Sequence, residues 1–337
     1  MKALVILGKE DLRLVEQPLP QPGTGQVRLR VAYVGICGSD LHYYYNGANG
    51  TFVVREPLTP GHEVSGVIDE DPSGHFPPGT PVTVHPARFG PVVPGMESDV
   101  YRHLRPGGSY LGSASTWPHT QGGMAEYLVV DASMVRPLPE GMSLRDAALA
   151  EPLAVVLHGM ANLRTDFAGA DVLVCGAGPI GLLAVFAAKQ AGAATVTACD
   201  LLDGPLARAK DVGADHVLRI GTDDVPAGRY PIVMECVGLP ASVNTAIAAA
   251  KPRGGIVQIG MIGPGEQPVM LAGLVNKELT MVGTFRFNDE IDRAIDLIAA
   301  HPEAGRVVTH VVDLDDAAHG FALAKDAQAS GKVLIKV

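Results

Sequence analysis

The sequence lacks any stretch of about 20 residues free of charged and turn-forming side chains, which excludes a helical membrane span at the usual length. It has no basic run and no low-complexity segment. Its formal net charge is −10, so electrostatics gives no case for nucleic acid or an anionic bilayer. No repeat at a solenoid period is visible. Cysteine is sparse: Cys37, Cys175, Cys199 and Cys236 lie far apart, in no zinc-finger spacing. The last three fall in apolar, strand-like runs and read as reduced core thiols of a cytoplasmic protein. The N-terminal MKALVILGKEDLRLVEQ has no long apolar region and no small-residue cleavage site, so it reads as a first strand, not a signal peptide. What is present is a chain of 337 residues, 47% hydrophobic and 18% charged, with 40 Gly and 26 Pro. That is enough for two domains of a globular α/β protein with many turns.

The most informative stretch is Val172 to Asp200. A buried strand, Val172–Cys175, runs into Gly176-Ala177-Gly178-Pro179-Ile180-Gly181, then an apolar helix to about Gln190, then a strand, Thr195–Cys199, ending on Asp200. A G-x-G-x-x-G turn alone is weak evidence, but strand, turn, helix, strand and acid in this order are its confirming context. Gly176 permits the tight turn. Gly178 lets backbone approach a pyrophosphate. Gly181 lets helix and strand pack closely, and the helix N-terminus receives the phosphate charge. Asp200, nineteen residues after Gly181, stands where a carboxylate binds the adenosine ribose and repels a 2′-phosphate. NAD is therefore expected over NADP, with dual use open. Arg208 and Lys210 are expected on a helix exterior.

Before this stretch the patterning is β-rich. Short apolar runs at Lys2–Leu7, Gln26–Val34, Val64–Ile68, Pro81–His85 and Ala125–Val130 are broken by Gly and Pro. A helical segment follows Ser143, a possible N-cap. After Asp171, strands at 215–220, 230–238, 254–263 and 277–285 and a helix at 241–250 predict a parallel doubly wound sheet. The helix 291–300 and the tail read as rejoining the first domain.

Cys37 in GICGSDLHYYY and His62-Glu63 in PGHEVSG offer a thiolate, an imidazole and a carboxylate, a donor set suited to an open zinc site. Together with the glycine turn and the returning tail, these segments resemble the zinc-containing medium-chain dehydrogenase/reductase family over essentially the whole chain. AEPLAVVLH (150–158), VNT (243–245) and GTFRF (283–287) resemble its polyol and sugar-acid branch, which holds the sorbitol and L-idonate 5-dehydrogenases. The resemblance implies a β-rich GroES-like catalytic domain at 1–150 and 286–337 and a Rossmann NAD-binding domain at 151–285. It implies Cys37, His62 and Glu63 as zinc ligands or near-ligands, with Glu151 as a third or exchangeable one. Which glutamate binds directly stays open. It further implies NAD-linked oxidation of a secondary alcohol, with zinc lowering the alcohol's pKa and hydride passing to the nicotinamide.

Ser39 and His42 resemble a proton relay to solvent. Ser39 could instead cap a helix beginning at Asp40, and His42 could be a surface histidine. One of Tyr43, Tyr44 and Tyr45 is expected to touch substrate, the alternative being packing. Arg286 resembles the branch's active-site arginine, either pairing with Glu151 or holding a substrate hydroxyl or carboxylate; an interdomain ion pair is its alternative. Arg55 and His119 are further candidates for a substrate carboxylate. Many relatives carry a structural zinc on a four-cysteine lobe. Here Gly90, Val93, Met96 and Leu104 occupy those positions, so one zinc per subunit is expected, the lobe being held by apolar packing of Val92, Val93, Met96, Tyr101 and Leu104 or left mobile. His85 and His103 are expected to be structural or at the surface. L-Idonate, giving 5-ketogluconate, leads the substrate expectations, ahead of sorbitol or xylitol and threonine. A homodimer or homotetramer is implied, with no nucleic-acid or membrane partner. The reading from a different class is a catalytically inactive dinucleotide-binding protein.

Overall fold

A computed structural model describes residues 1–337 as two compact units. The first comprises Met1–Glu151, Ile291–Lys325 and Lys332–Val337; the second comprises Pro152–Glu290 and Asp326–Gly331.

The first unit is built on a seven-stranded sheet around Gln26–Gly35. This strand pairs antiparallel with Glu63–Glu70, with Tyr127–Asp131 and with the C-terminal Lys332–Lys336. Its alternating Val27, Leu29 and Val31 are buried against Ile68, Val82, Phe321 and Ile335, the period-2 pattern of a half-buried strand. The pairing has a functional consequence. Gly35 lies opposite both Glu63 and Leu334, so the far C-terminus is brought beside the chain leading to Cys37.

The second unit is a six-stranded parallel sheet in the order His216–Arg219, Thr195–Asp200, Asp171–Cys175, Tyr230–Glu235, Ala250–Gln258, Thr280–Gly283. Strand order reverses on either side of Asp171–Cys175, which opens a crevice at the carboxyl ends of the central strands, where open α/β sheets bind ligands. Burial on both faces explains the continuous apolar runs such as Val172–Cys175.

Local differences from the sequence expectations have physical causes. The segment after Ser143 is two helices, Leu144–Ala147 and Ala150–Leu163. Ser143 does cap the first, its Oγ accepting from Arg145 N at 3.2 Å. The tail does not rejoin the first unit throughout, because 326–331 lies against the helix Asp203–Asp211. Gly204 has no Cβ to meet Gln328 O, its amide donates to Gln328 Oε1, and Arg208 donates to the carbonyls of Ala327 and Gln328. Arg208 is thus a tie and not a free exterior side chain.

The lobe 87–108 is also held differently from expectation. Val92, Tyr101 and Leu104 are 59%, 43% and 49% exposed, so they form no apolar core. The tie is Arg105, whose side chain is 6% exposed. It donates to the carbonyls of Met96, Glu97 and Ser98 at 3.0, 3.1 and 3.2 Å and reaches Asp99 at 3.4 Å. Arg102 stacks over Phe89 beside it.

Candidate active site

Cys37, His62 and Glu63 converge: their donor atoms all lie within 4.8 Å of one another. Cys37 ends the sheet-leaving segment and caps the helix Gly38–Asn46. His62 and Glu63 open the neighbouring strand. The arrangement is held by Asp40, a fully buried carboxylate that accepts from Cys37 N at 2.8 Å and Gly61 N at 3.1 Å. Asp40 is the third residue of the helix and completes a capping box with Cys37. Ser39 therefore sits inside the helix and is not its cap.

Glu63 is 1% exposed. Its Oε1 accepts from Lys332 Nζ at 2.7 Å, while its Oε2 is buried without a partner. Lys332 Nζ also donates to Ile36 O. The carboxylate occupies the space above Gly35, where a Cβ would lie 1.8 Å from Glu63 Oε2. A soft sulfur on the half-buried Cys37, a buried imidazole and an orphaned carboxylate oxygen in one cluster fit zinc in both donor chemistry and need for a cation. Burial alone would push His62 down, but the Cys37 sulfur, then Glu151 and Asp40, outweigh it and raise its pKa to about 10.

Glu151 stands in the first turn of Ala150–Leu163, buried, outside the three-residue cluster. Tyr110 Oη donates to its Oε1 at 2.5 Å, and the Tyr110 ring lies edge-on to His62. Burial, with Glu63 adding to it, raises the Glu151 pKa above the usual carboxylate range.

Ser39 and His42 lie three residues apart on one helix, the spacing that makes side chains neighbours. His42 is exposed, and Asn46 Nδ2 donates to its Nδ1 at 3.2 Å. The three tyrosines differ in their surroundings. Tyr43 is 2% exposed with its hydroxyl bonded to Ser113 and Ala114 N. Tyr44 meets Phe321, and Tyr45 lies under Lys325. Both ring nitrogens of His119 are engaged: Nε2 accepts from Arg55 N and Nδ1 donates to Thr116 O. His85 is a buried structural histidine whose Nδ1 accepts from Ala87 N.

In the second unit the glycine turn has the expected form. Gly176 is at φ +89, and a Cβ on Gly181 would lie 1.8 Å from Gly176 O. At Gly178 a Cβ would meet nothing within 4 Å, so open space adjoins the N-cap of the helix Pro179–Gln190, with Pro179 and Ile180 in its first turn. Asp200 accepts from Ala177 N at 2.8 Å and Leu202 N at 3.1 Å, and borders a cleft of 170 Å³ walled by Leu201, Val237 and Leu239. Cys175 and Cys199 also line it. The Cys199 contact and burial push the Cys175 thiol well above its ordinary range, and burial does the same to Cys236, which makes them inert. Arg286 projects from a turn at φ +54 with its guanidinium over Phe285.

Two family models match the chain: an alcohol dehydrogenase GroES-like domain over residues 23–140 and a zinc-binding dehydrogenase over residues 179–300. Sorbitol dehydrogenase of Bos taurus is 33% identical over 99% of this chain and 95% of its own. The chain belongs to the zinc-dependent medium-chain dehydrogenase/reductase family. L-Idonate 5-dehydrogenase (NAD(P)(+)) of Escherichia coli K12 is 34% identical over 88% of this chain and 87% of its own. The crystal structure of L-idonate 5-dehydrogenase from Escherichia coli K-12 MG1655 superposes with a TM-score of 0.93 at 29% identity, covering 100% of this chain and 98% of that one. The protein is accordingly a zinc- and NAD(P)-dependent oxidoreductase of the alcohol and polyol dehydrogenase type.

Sequence reasoning missed Asp40, Lys332, Tyr110 and Gly35. Asp40 carried a signal, an acid three residues after a helix-capping position. Lys332 was one of two lysines bracketing the apolar Val333–Ile335 in GKVLIKV, and nothing local set it apart from Lys336. Tyr110 and Gly35 carried none, since their roles depend on non-local packing.

Proposed function

We propose that this protein oxidises the C5 hydroxyl of L-idonate to give 5-ketogluconate, with NAD as hydride acceptor and one zinc per subunit. The observation that carries the substrate assignment is the full-length superposition on an L-idonate 5-dehydrogenase, joined by a fixed cation, Arg286, in the branch-like GTFRF segment. Cys37, His62 and Glu63 hold the zinc, with Glu151 as the exchangeable group. Zinc supplies Lewis-acid polarisation of the substrate hydroxyl. Asp40 fixes the loops that bear Cys37 and His62. Lys332 and Gly35 fix Glu63. Ser39 takes the hydroxyl proton and passes it to the exposed His42, which exchanges it with solvent. Arg286 binds the substrate carboxylate through its guanidinium fork.

Gly176, Gly178, Pro179, Ile180 and Gly181 bind the NAD pyrophosphate at the helix N-terminus. Asp200 binds the adenosine ribose, and its charge disfavours a 2′-phosphate. One zinc suffices because Gly90, Val93, Met96 and Leu104 offer no thiolates and Arg105 ties the lobe. The four free cysteines, with Cys175 and Cys199 buried, suit a cytoplasmic protein. A second copy joins at the outer edge of the end strand Thr280–Gly283, with Met261, Met270 and Val275, at 74%, 69% and 71% exposure, as candidate apolar contacts.

A second reading, a sorbitol- or xylitol-type polyol dehydrogenase, is favoured by the bovine relative, similar over 99% of this chain. Initial rates of NADH formation with L-idonate, D-gluconate, sorbitol, xylitol and L-threonine separate the readings. The proposal expects the highest kcat/KM with L-idonate; a preference for sorbitol or xylitol over L-idonate would replace it.

A further inference from the structure

The segment that bears Arg286 is gripped from one face of one helix. In Ala150–Leu163, His158, Gly159 and Asn162 lie on adjoining positions one turn apart. Asn162 Nδ2 reaches Gly283 O at 3.5 Å, at the start of the segment. Gly159 allows close approach in the middle, where a Cβ would lie 3.2 Å from Thr284 Cγ2. His158 closes the far end: its Nδ1 donates to Glu290 Oε1 at 2.8 Å. The other oxygen of Glu290 accepts from Asn288 N at 2.8 Å, so one carboxylate joins the helix to the turn. His158 is 5% exposed, and Phe287 is buried at 1%. Between these anchors Arg286 holds φ +54, a left-handed conformation sparsely populated by residues with a Cβ. Such a conformation persists where the surroundings over-determine it, and it is found at ligand clamps.

We propose that His158 is a positioning residue for the substrate's anionic end: through Glu290 it fixes the turn that presents Arg286, and so sets the affinity for sugar acids relative to neutral polyols. This rests on the reading of Arg286 as the carboxylate-binding group. A guanidinium fork binds a carboxylate well only in one orientation, so a loosened turn costs substrate binding before it costs chemistry.

The test compares L-idonate with sorbitol in wild type, His158→Ala, His158→Asn, Glu290→Gln and Arg286→Met, with the NADH dissociation constant and melting temperature of each. Arg286→Met is expected to raise KM for L-idonate about 100-fold and His158→Ala about tenfold, the scale of a misplaced binding group. For His158→Ala, kcat, sorbitol KM and NADH affinity stay within about twofold. His158→Asn, whose amide nitrogen can stand where Nδ1 stands, restores most of the loss. Glu290→Gln reproduces it in part and serves in place of His158→Ala should that variant fail to fold. An Arg286→Met effect without any effect of His158→Ala or Glu290→Gln overturns the proposal and leaves the Arg286 reading standing. Unchanged L-idonate KM in Arg286→Met, or no activity of the wild type on L-idonate, overturns the reading and the proposal with it. Equal losses on both substrates together with weaker NADH binding show a general structural pair and also overturn it.

Discussion

Each oxygen of the Asp40 carboxylate secures the backbone of a different one of the converging loops. Asp40→Asn turns an amide group toward one backbone N–H and breaks one of the two bonds. Groups that orient metal ligands typically govern about 10–100-fold in metal affinity, and the expected outcome is a weakening of zinc binding in that range by competition with a chelating dye. Unchanged affinity would remove Asp40 from the site. His62 makes a second prediction at this scale. In the metal-free protein its pKa is raised to about 10 from 6.5. Its stabilising contribution is therefore complete below pH 6.5 and disappears as pH rises through 10. Denaturant midpoints of metal-free wild type should fall relative to His62→Gln across that window. Zinc has to displace the same proton, so apparent zinc affinity rises with pH, and calorimetry at pH 7.5 in buffers of different ionisation enthalpy should register proton release. Buffer-independent heats would contradict the assignment.

At the scale of elements, the parts legible in the sequence are those fixed by local physics. The glycine turn, its flanking strands and Asp200 form the unit their spacing predicts, because a tight turn between buried strand and helix leaves few alternatives. The strand Gln26–Gly35 was legible as a short apolar run bounded by Gly and Pro. Less legible were the elements governed by distant partners. Lys332 pairs with Glu63 across 269 positions, and no local pattern announces that. The break between Leu144–Ala147 and Ala150–Leu163 occurs within one helical pattern, where Leu149 N bonds back to Asp146 O. The lobe 87–108 misled because missing thiolates invite an apolar substitute, whereas the structure uses one arginine on three carbonyls. Arg105→Met should cost about 1 kcal/mol locally by removing hydrogen bonds to carbonyls that lie mostly at the surface, where water can replace the donor. Hydrogen exchange should quicken over residues 95–104 while zinc content and the exchange of the parallel sheet stay unchanged. Unchanged exchange in the lobe would show that Arg105 is not its tie.

For the whole molecule, no helix is long and apolar enough to cross a membrane. The proposed contact with a second copy uses the end strand Thr280–Gly283, which has a sheet neighbour on one side only, and the exposed Met270 and Val275 that precede it in the chain. Val275→Asp with Met270→Asp is expected to halve the mass measured by light scattering at micromolar concentration, with NADH binding retained. An unchanged mass would place the subunit contact elsewhere. The central claim, that the Cys37–His62–Glu63 cluster is a zinc site for NAD-linked alcohol oxidation, has a more direct test. The rate of NADH formation from L-idonate would be measured in purified protein, after zinc removal, and after zinc is restored, with metal content followed in parallel. The account predicts about one zinc per subunit, a rate abolished with its removal and regained with its return. A rate that survives complete removal of zinc, or a protein that binds NADH but neither holds zinc nor oxidises any of these alcohols, would contradict it.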